Sequence, residues 1–306
     1  MDMYSVFQQM LVLLILLLIG VVAAKTGVVD DESNRRLTRF ALVIPQSAQI
    51  LSSAMNVGQD MTLGRVLGIL GTGCVMYGLL ILLSLASPYI CRAQKRDRGI
   101  YSFMTIFGNV GFMGLPVIRA LFGSGAVFYA ALLLVPFNFL AYTYGIALLS
   151  GGGKGSFDWH RLISVPTTAA LLSVVLVCVH INIPKPIVDA TGMLGDMMLP
   201  FSMIIIGSSL GNLPLKEVVG DWRAYVFAPI RLLVCPVVLW AVMGLFVRDT
   251  VLLGVITVLW CMPVAAFATM LSIQYGGNER IASRTVFVTT VLSVVTIPLV
   301  CGVLPL

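Results

Sequence analysis

The sequence predicts an all-α polytopic membrane protein of about ten transmembrane helices, built as two inverted five-helix repeats with broken helices 4 and 9. Three observations predict it. Of the 306 residues, 59% are hydrophobic and only 10% charged, and mean hydropathy is +1.01, more apolar surface than a soluble domain carries. Apolar windows of about 20 residues, the length that crosses a bilayer, recur along the whole chain. Helix breakers then recur at corresponding places in its two halves.

The windows lie at 4–24, 36–56, 63–88, 100–122, 125–149, 160–181, 188–210, 222–247, 251–275 and 281–304. The first, from Tyr4 to Ala24, is too long for the apolar core of a signal peptide and reads as a span. The second holds Pro45-Gln46-Ser47 and the seventh Pro200-Phe201-Ser202, 155 residues apart; the fourth holds Pro116 and the ninth Pro263, 147 residues apart. Both offsets are close to half the chain. Five spans is an odd number, so the second copy enters the bilayer upside down. The repeats are then residues 1–150 and 151–306. The longest polar stretches are Lys25–Arg39, Tyr89–Gly99 and Gly151–Arg161, too short for a soluble domain.

Basic residues partition unevenly between the loops. Those after spans 1, 3, 5, 7 and 9 hold fourteen Lys and Arg, and the alternate loops only Arg65, Arg119, Lys185 and Arg248. This bias puts the odd loops in the cytoplasm and both termini outside it, in the inner membrane of a cell. The net charge of +6 therefore reports topology, not a nucleic-acid partner. Five of the six cysteines sit in apolar segments and none forms a CxxC pair, so they read as packing residues with no metal or cofactor. His160 and His180 are isolated. With no paired carboxylates, HExxH, GxSxG or Walker A pattern, the expectation is not an enzyme.

Span 4 carries the most informative line, Ile106-Phe107-Gly108-Asn109-Val110-Gly111-Phe112-Met113-Gly114-Leu115-Pro116. Proline removes a backbone donor and breaks the helix, and freed backbone groups must face protein or a wet cavity. Asn109 brings an amide that hydrocarbon cannot satisfy; it reads as a substrate or ion contact, with interhelical bonding as the alternative. Gly108, Gly111 and Gly114 let backbone and ligand approach closely. Pro116 and Pro263 are placed to start the second half-helices of spans 4 and 9, with N–H ends converging on an anion or first-half carbonyls holding a cation.

Arg231 lies about 13 Å into span 8 at 1.5 Å per residue. It reads either as counter-charge for an anionic substrate or as a side chain snorkelling to the cytoplasmic surface. Asp196, before Pro200, reads as an outer loop acid, with a proton-titrating site or a partner for Arg231 as alternatives. Asn138 and Tyr142 add polar groups to span 5, and Ser47 adds one beside Pro45 in span 2. Thr289, Thr290, Ser293 and Thr296 in span 10 are weak signals, since such hydroxyls often bond their own helix.

Gly108-Asn109-Val110-Gly111-Phe112-Met113-Gly114-Leu115-Pro116 resembles the signature of the auxin efflux carrier family, whose bacterial members include malonate and malate permeases and whose plant members export auxin. Leu37-Thr38-Arg39-Phe40 leading to Pro45, Cys261-Met262-Pro263-Val264-Ala265, Tyr275 to Ser283, and Thr296-Ile297-Pro298-Leu299 are similar to further parts of that family. The resemblance covers essentially the whole chain. It implies a scaffold of spans 1, 2, 6 and 7 and a mobile transport unit of spans 3–5 and 8–10. It implies that spans 4 and 9 cross at their proline breaks and that Asn109 contacts the substrate's carboxylate or the crossover, beside Val110 and Pro263. The further candidate binding residues are Gly111, Val264, Asn138, Ser47 and Arg231. The plant members' long central loop is absent, because Ser150–Arg161 is short.

The expected function is secondary transport of small organic anions by alternating access, with the lipid bilayer and the anion as partners and a homodimer left open. The rivals are a ligand-binding membrane sensor without net transport and an ion-coupled antiporter. Spans 4, 5 and 9 contain none of the acids a sodium/proton antiporter would place at its core.

Overall fold

The computed structural model describes residues 3–55, 62–150, 165–179, 183–212, 220–265 and 267–304. The glycine-rich loop expected over Ser150–Arg161 lies outside them from residue 151 on, as do His160, His180 and Lys216. Among the described residues the chain is helical, and its one extended pairing is an isolated bridge.

The helices are α1 (Met3–Lys25), α2 (Asp31–Val43), α3 (Pro45–Met55), α4 (Leu63–Ile90), α5 (Arg98–Ile106), α6 (Leu115–Phe122), α7 (Ser124–Leu140), α8 (Ile146–Leu149), α9 (Val165–Val179), α10 (Lys185–Asp196), α11 (Met198–Asn212), α12 (Trp222–Pro229), α13 (Cys235–Met243), α14 (Thr250–Cys261), α15 (Phe267–Tyr275) and α16 (Glu279–Val303). Among the described residues, five continuous stretches are long and apolar enough to cross a bilayer: Leu63–Ile90, Ser124–Leu149, Lys185–Ser209, Trp222–Met243 and Glu279–Val303. Shorter apolar helices include Leu14–Lys25, Val110–Phe122 and Thr250–Cys261. The protein is thus a multi-pass membrane protein.

Local chemistry explains several starts and breaks. Asp30 caps α2 by accepting from the Ser33 N–H at 2.7 Å, a bond that holds its carboxyl below the usual carboxylate range. Helix therefore begins inside the stretch Lys25–Arg39 that reads as a polar loop, earlier than the expected start of span 2. Asp249 caps α14 from the Val251 and Leu252 N–H groups at 3.0 and 3.1 Å. Pro45 opens α3 where its missing donor costs least. Two π-helical turns, Val110–Gly114 and Ile230–Val234, each end two residues before a proline, Pro116 and Pro236. Neither proline can donate to the carbonyl four residues back, so the chain widens there.

By packing, the chain forms two units. The first is Met1–Leu70, Gly111–Val135 and Ile163–Leu213; the second is Gly71–Val110, Pro136–Leu162 and Pro214–Leu306. In the first, α1 lies along α11 so closely that Gly20 abuts the Ile204 carbonyl and Gly207 the Leu17 carbonyl. Small residues permit such backbone contact between membrane helices. α2 packs on α11 through Ala41, Met198 and Ile205, while α3 packs on α9 and α10. The breaks of spans 2 and 7 therefore lie side by side. The outward face of α1 keeps Leu11, Ile15, Leu18 and Val22 exposed, as a lipid-facing helix does.

In the second unit α5 and α14 are central. Ile100–Ile106 and Gly254–Cys261 are buried throughout. Phe103, Phe107, Phe137 and Phe267 stack in tilted and edge-on contacts with ring centroids 4.7–5.8 Å apart. Tyr77 meets Trp260 edge-on at 5.4 Å.

Candidate functional site

The site is built where two helices stop inside the second unit. α5 ends at Ile106, and Phe107 turns extended (φ −107°, ψ 103°); α14 ends at Cys261, and Met262 does the same (φ −65°, ψ 142°). The two extended pieces run antiparallel and bridge at Gly108 and Val264. The Asn109 N–H donates to the Pro263 carbonyl at 2.8 Å and the Ala265 N–H to the Phe107 carbonyl at 3.3 Å. The Val264 N–H donates to the Thr289 hydroxyl of α16 at 3.2 Å. Backbone that has left its helix is thus paired again, as burial away from water demands.

Pro263 lies inside this extended piece. It does not open the second half-helix, which begins as α15 at Phe267. Its carbonyl, rather than its missing donor, is what the crossover uses. Pro116 does sit in the first turn of its half-helix, α6.

Arg231 belongs to the π-helical turn between α12 and α13 and has no exposed surface. It does not snorkel. Its Nη1 donates to the Thr105 carbonyl at 3.0 Å, in the last turn of α5, where carbonyls lack helical partners and the dipole is negative. Its Nη2 lies against Gly108, with no room for a Cβ there, and its guanidinium carbon stands 5.9 Å from the centre of the Trp260 ring. Among the described residues, Nε and Nη2 have no hydrogen-bond partner. Asp196 pairs with Arg119 within the first unit.

Of the sequence-predicted residues, the second unit contains Asn109, Val110, Arg231, Pro263, Val264 and Asn138, and the first contains Gly111, Ser47 and Pro116. Phe107 and Val110 are fully buried, whereas Asn109 between them keeps 8% of its surface. Asn138 is half-buried and follows Phe137, whose ring packs 5.5 Å from that of Phe107. Ser47 is buried on α3. Thr289, a weak signal in the sequence, proves to serve the crossover. The Tyr275–Ser283 motif turns at Gly276 (φ 81°) and sets Asn278 to cap α16 while its amide donates to Asp97 at 3.0 Å. Among the described residues no cluster of three or more His, Cys, Asp or Glu could hold a metal ion.

The model of a family described as "Membrane transport protein" matches residues 5–301 of this chain. Similar proteins include an "Uncharacterized transporter" of Methanothermobacter thermautotrophicus, 26% identical over 301 residues, covering 95% of this chain and 96% of the relative. An "Uncharacterized transporter" of Methanocaldococcus jannaschii is 24% identical over 298 residues, covering 94% and 96%. A "Putative malonate transporter" of Rhizobium meliloti strain 1021 is 23% identical over 243 residues, covering 76% and 74%.

Proposed function

We propose that this chain, which belongs to the membrane transport protein family, is a secondary carrier of small organic anions, carboxylates above all, working by alternating access. The observation that carries the reading is the buried Arg231 guanidinium at the crossover, with Nε and Nη2 unpartnered. A buried cation without a carboxylate is costly, and such charges mark substrate paths in membrane proteins. A carboxylate brought to about 4 Å from it would gain on the order of 4 kcal/mol at an effective dielectric of about 20, against about 1 kcal/mol in water. Asn109 supplies the amide contact, with Val110, Val264 and Pro263 shaping the backbone around it.

The name of the Rhizobium meliloti relative, "Putative malonate transporter", agrees with an anionic substrate. The remaining parts of the reading follow. The chain crosses the membrane ten times as two inverted repeats, 1–150 and 151–306, with both termini outside. The close packing of α3 on α10, and of Gly108 on Val264, supports the repeat, since each joins matching breaks. Spans 1, 2, 6 and 7 form a scaffold and spans 3–5 and 8–10 carry the substrate. The chemistry is translocation, not catalysis.

Carboxylate binding to purified protein tests the role of Asn109. Asn109→Ala is expected to keep its melting temperature without ligand and to bind a small carboxylate more weakly by about 1–3 kcal/mol, the scale of a lost polar contact. Wild-type affinity in the folded variant would remove Asn109 from the site.

A further inference from the structure

The first unit holds a second polar feature that the crossover does not explain. α3 is buried along most of its length, yet it carries Gln46 and Gln49, 3% and 1% exposed. Residues three apart share a helix face. Among the described residues, neither Nε2 nor Oε1 of Gln49 has a partner, and Gln46 Oε1 has none. Exchanging the amide O and N of Gln49 changes nothing, since both are unpaired. The surroundings are held tightly. A Cβ on Gly111 would stand 2.8 Å from Gln46 Nε2, and one on Gly195 of α10 would stand 2.9 Å from Gln49 Cα.

We propose that Gln46 and Gln49 form an uncharged hydrogen-bonding subsite in the first unit, which takes the hydroxyl or protonated carboxyl group of a small polar ligand. The chemistry selects that class. An amide offers donors on nitrogen and lone pairs on oxygen. Two unpaired amide oxygens require a ligand that donates. A carboxylate anion only accepts and would leave both unpaired; an O–H group both donates to Oε1 and accepts from Nε2. Buried amides without partners are unfavourable, and native proteins keep such groups chiefly where a ligand or ordered water completes them.

This inference deepens the carrier reading by naming a group on its substrate, and rests on that reading only in treating the ligand as cargo. The test uses the full-length purified protein and two probe pairs that differ by one hydroxyl: lactate against propionate, and malate against succinate. Wild type is expected to bind the hydroxylated member of at least one pair about tenfold more tightly or better, as sites built to bond a hydroxyl do. Gln49→Met, similar in shape and apolar, should erase that preference while raising the melting temperature. Gln46→Met should reduce it and serves if the first variant does not fold. Equal affinities within both pairs in wild type, no binding of any of the four, or a preference that survives both folded variants would overturn the subsite. Binding with the expected preference but no uptake into liposomes would refute the carrier and leave the subsite standing.

Discussion

The crossover and α3 treat buried polarity in opposite ways. Phe107–Asn109 and Pro263–Ala265 abandon helical geometry, yet the N–H groups of Asn109, Val264 and Ala265 all find acceptors. α3 keeps regular helix and leaves two side-chain amides incomplete. Among the described residues, the buried side-chain groups left without a hydrogen-bond partner include the Arg231 Nε and Nη2 in the second unit and the Gln46 and Gln49 amides in the first. Backbone pairing holds the crossover beside an Arg231 guanidinium whose Nε and Nη2 have no partner among the described residues, whereas α3 keeps its amides unpaired without any break in the chain.

The largest effect expected on this contrast comes from Gly108. Gly108→Val would place side-chain atoms where the Arg231 Nη2 lies, pushing the guanidinium off the Thr105 carbonyl. Disrupting a buried charge in this way costs about 3–5 kcal/mol, so the variant should melt far below wild type or fail to fold. Wild-type stability would show that the guanidinium has another place to go. A smaller effect belongs to Thr289. Thr289→Val keeps the shape but leaves the Val264 N–H without its acceptor, for a loss of about 1–3 kcal/mol. Thr290 is the control, because its hydroxyl bonds only the Val286 carbonyl of its own helix. If Thr290→Val lowers the melting temperature as much as Thr289→Val, the crossover is not specially dependent on side-chain acceptors.

The breaks themselves are legible in the sequence, since glycine and proline inside apolar windows leave few other readings. That the two broken segments meet as a bridge is not, because three-residue extended pieces carry no alternating pattern and their pairing joins residues 156 positions apart, Gly108 and Val264. The place of Arg231 in span 8 leaves burial and snorkelling both open; its burial and its choice of the Thr105 carbonyl are tertiary facts. Pro263 illustrates the limit: proline signals an end to helix equally well whether the next residues are extended or helical. In the sequence, Gln46 and Gln49 are masked by Pro45 and Ser47, whose counterparts Pro200 and Ser202 recur in span 7. Two amides three residues apart in an apolar window were the available signal.

The central claim is that the buried charge at the crossover serves anion transport. Uptake of a labelled small carboxylate into liposomes containing purified wild type, Arg231→Gln or Arg231→Lys tests it most directly. Wild type is expected to show saturable uptake, folded Arg231→Gln to lose uptake, and Arg231→Lys to keep part of it, since its ammonium keeps the charge without the planar fork. Undiminished uptake by Arg231→Gln would contradict the central claim.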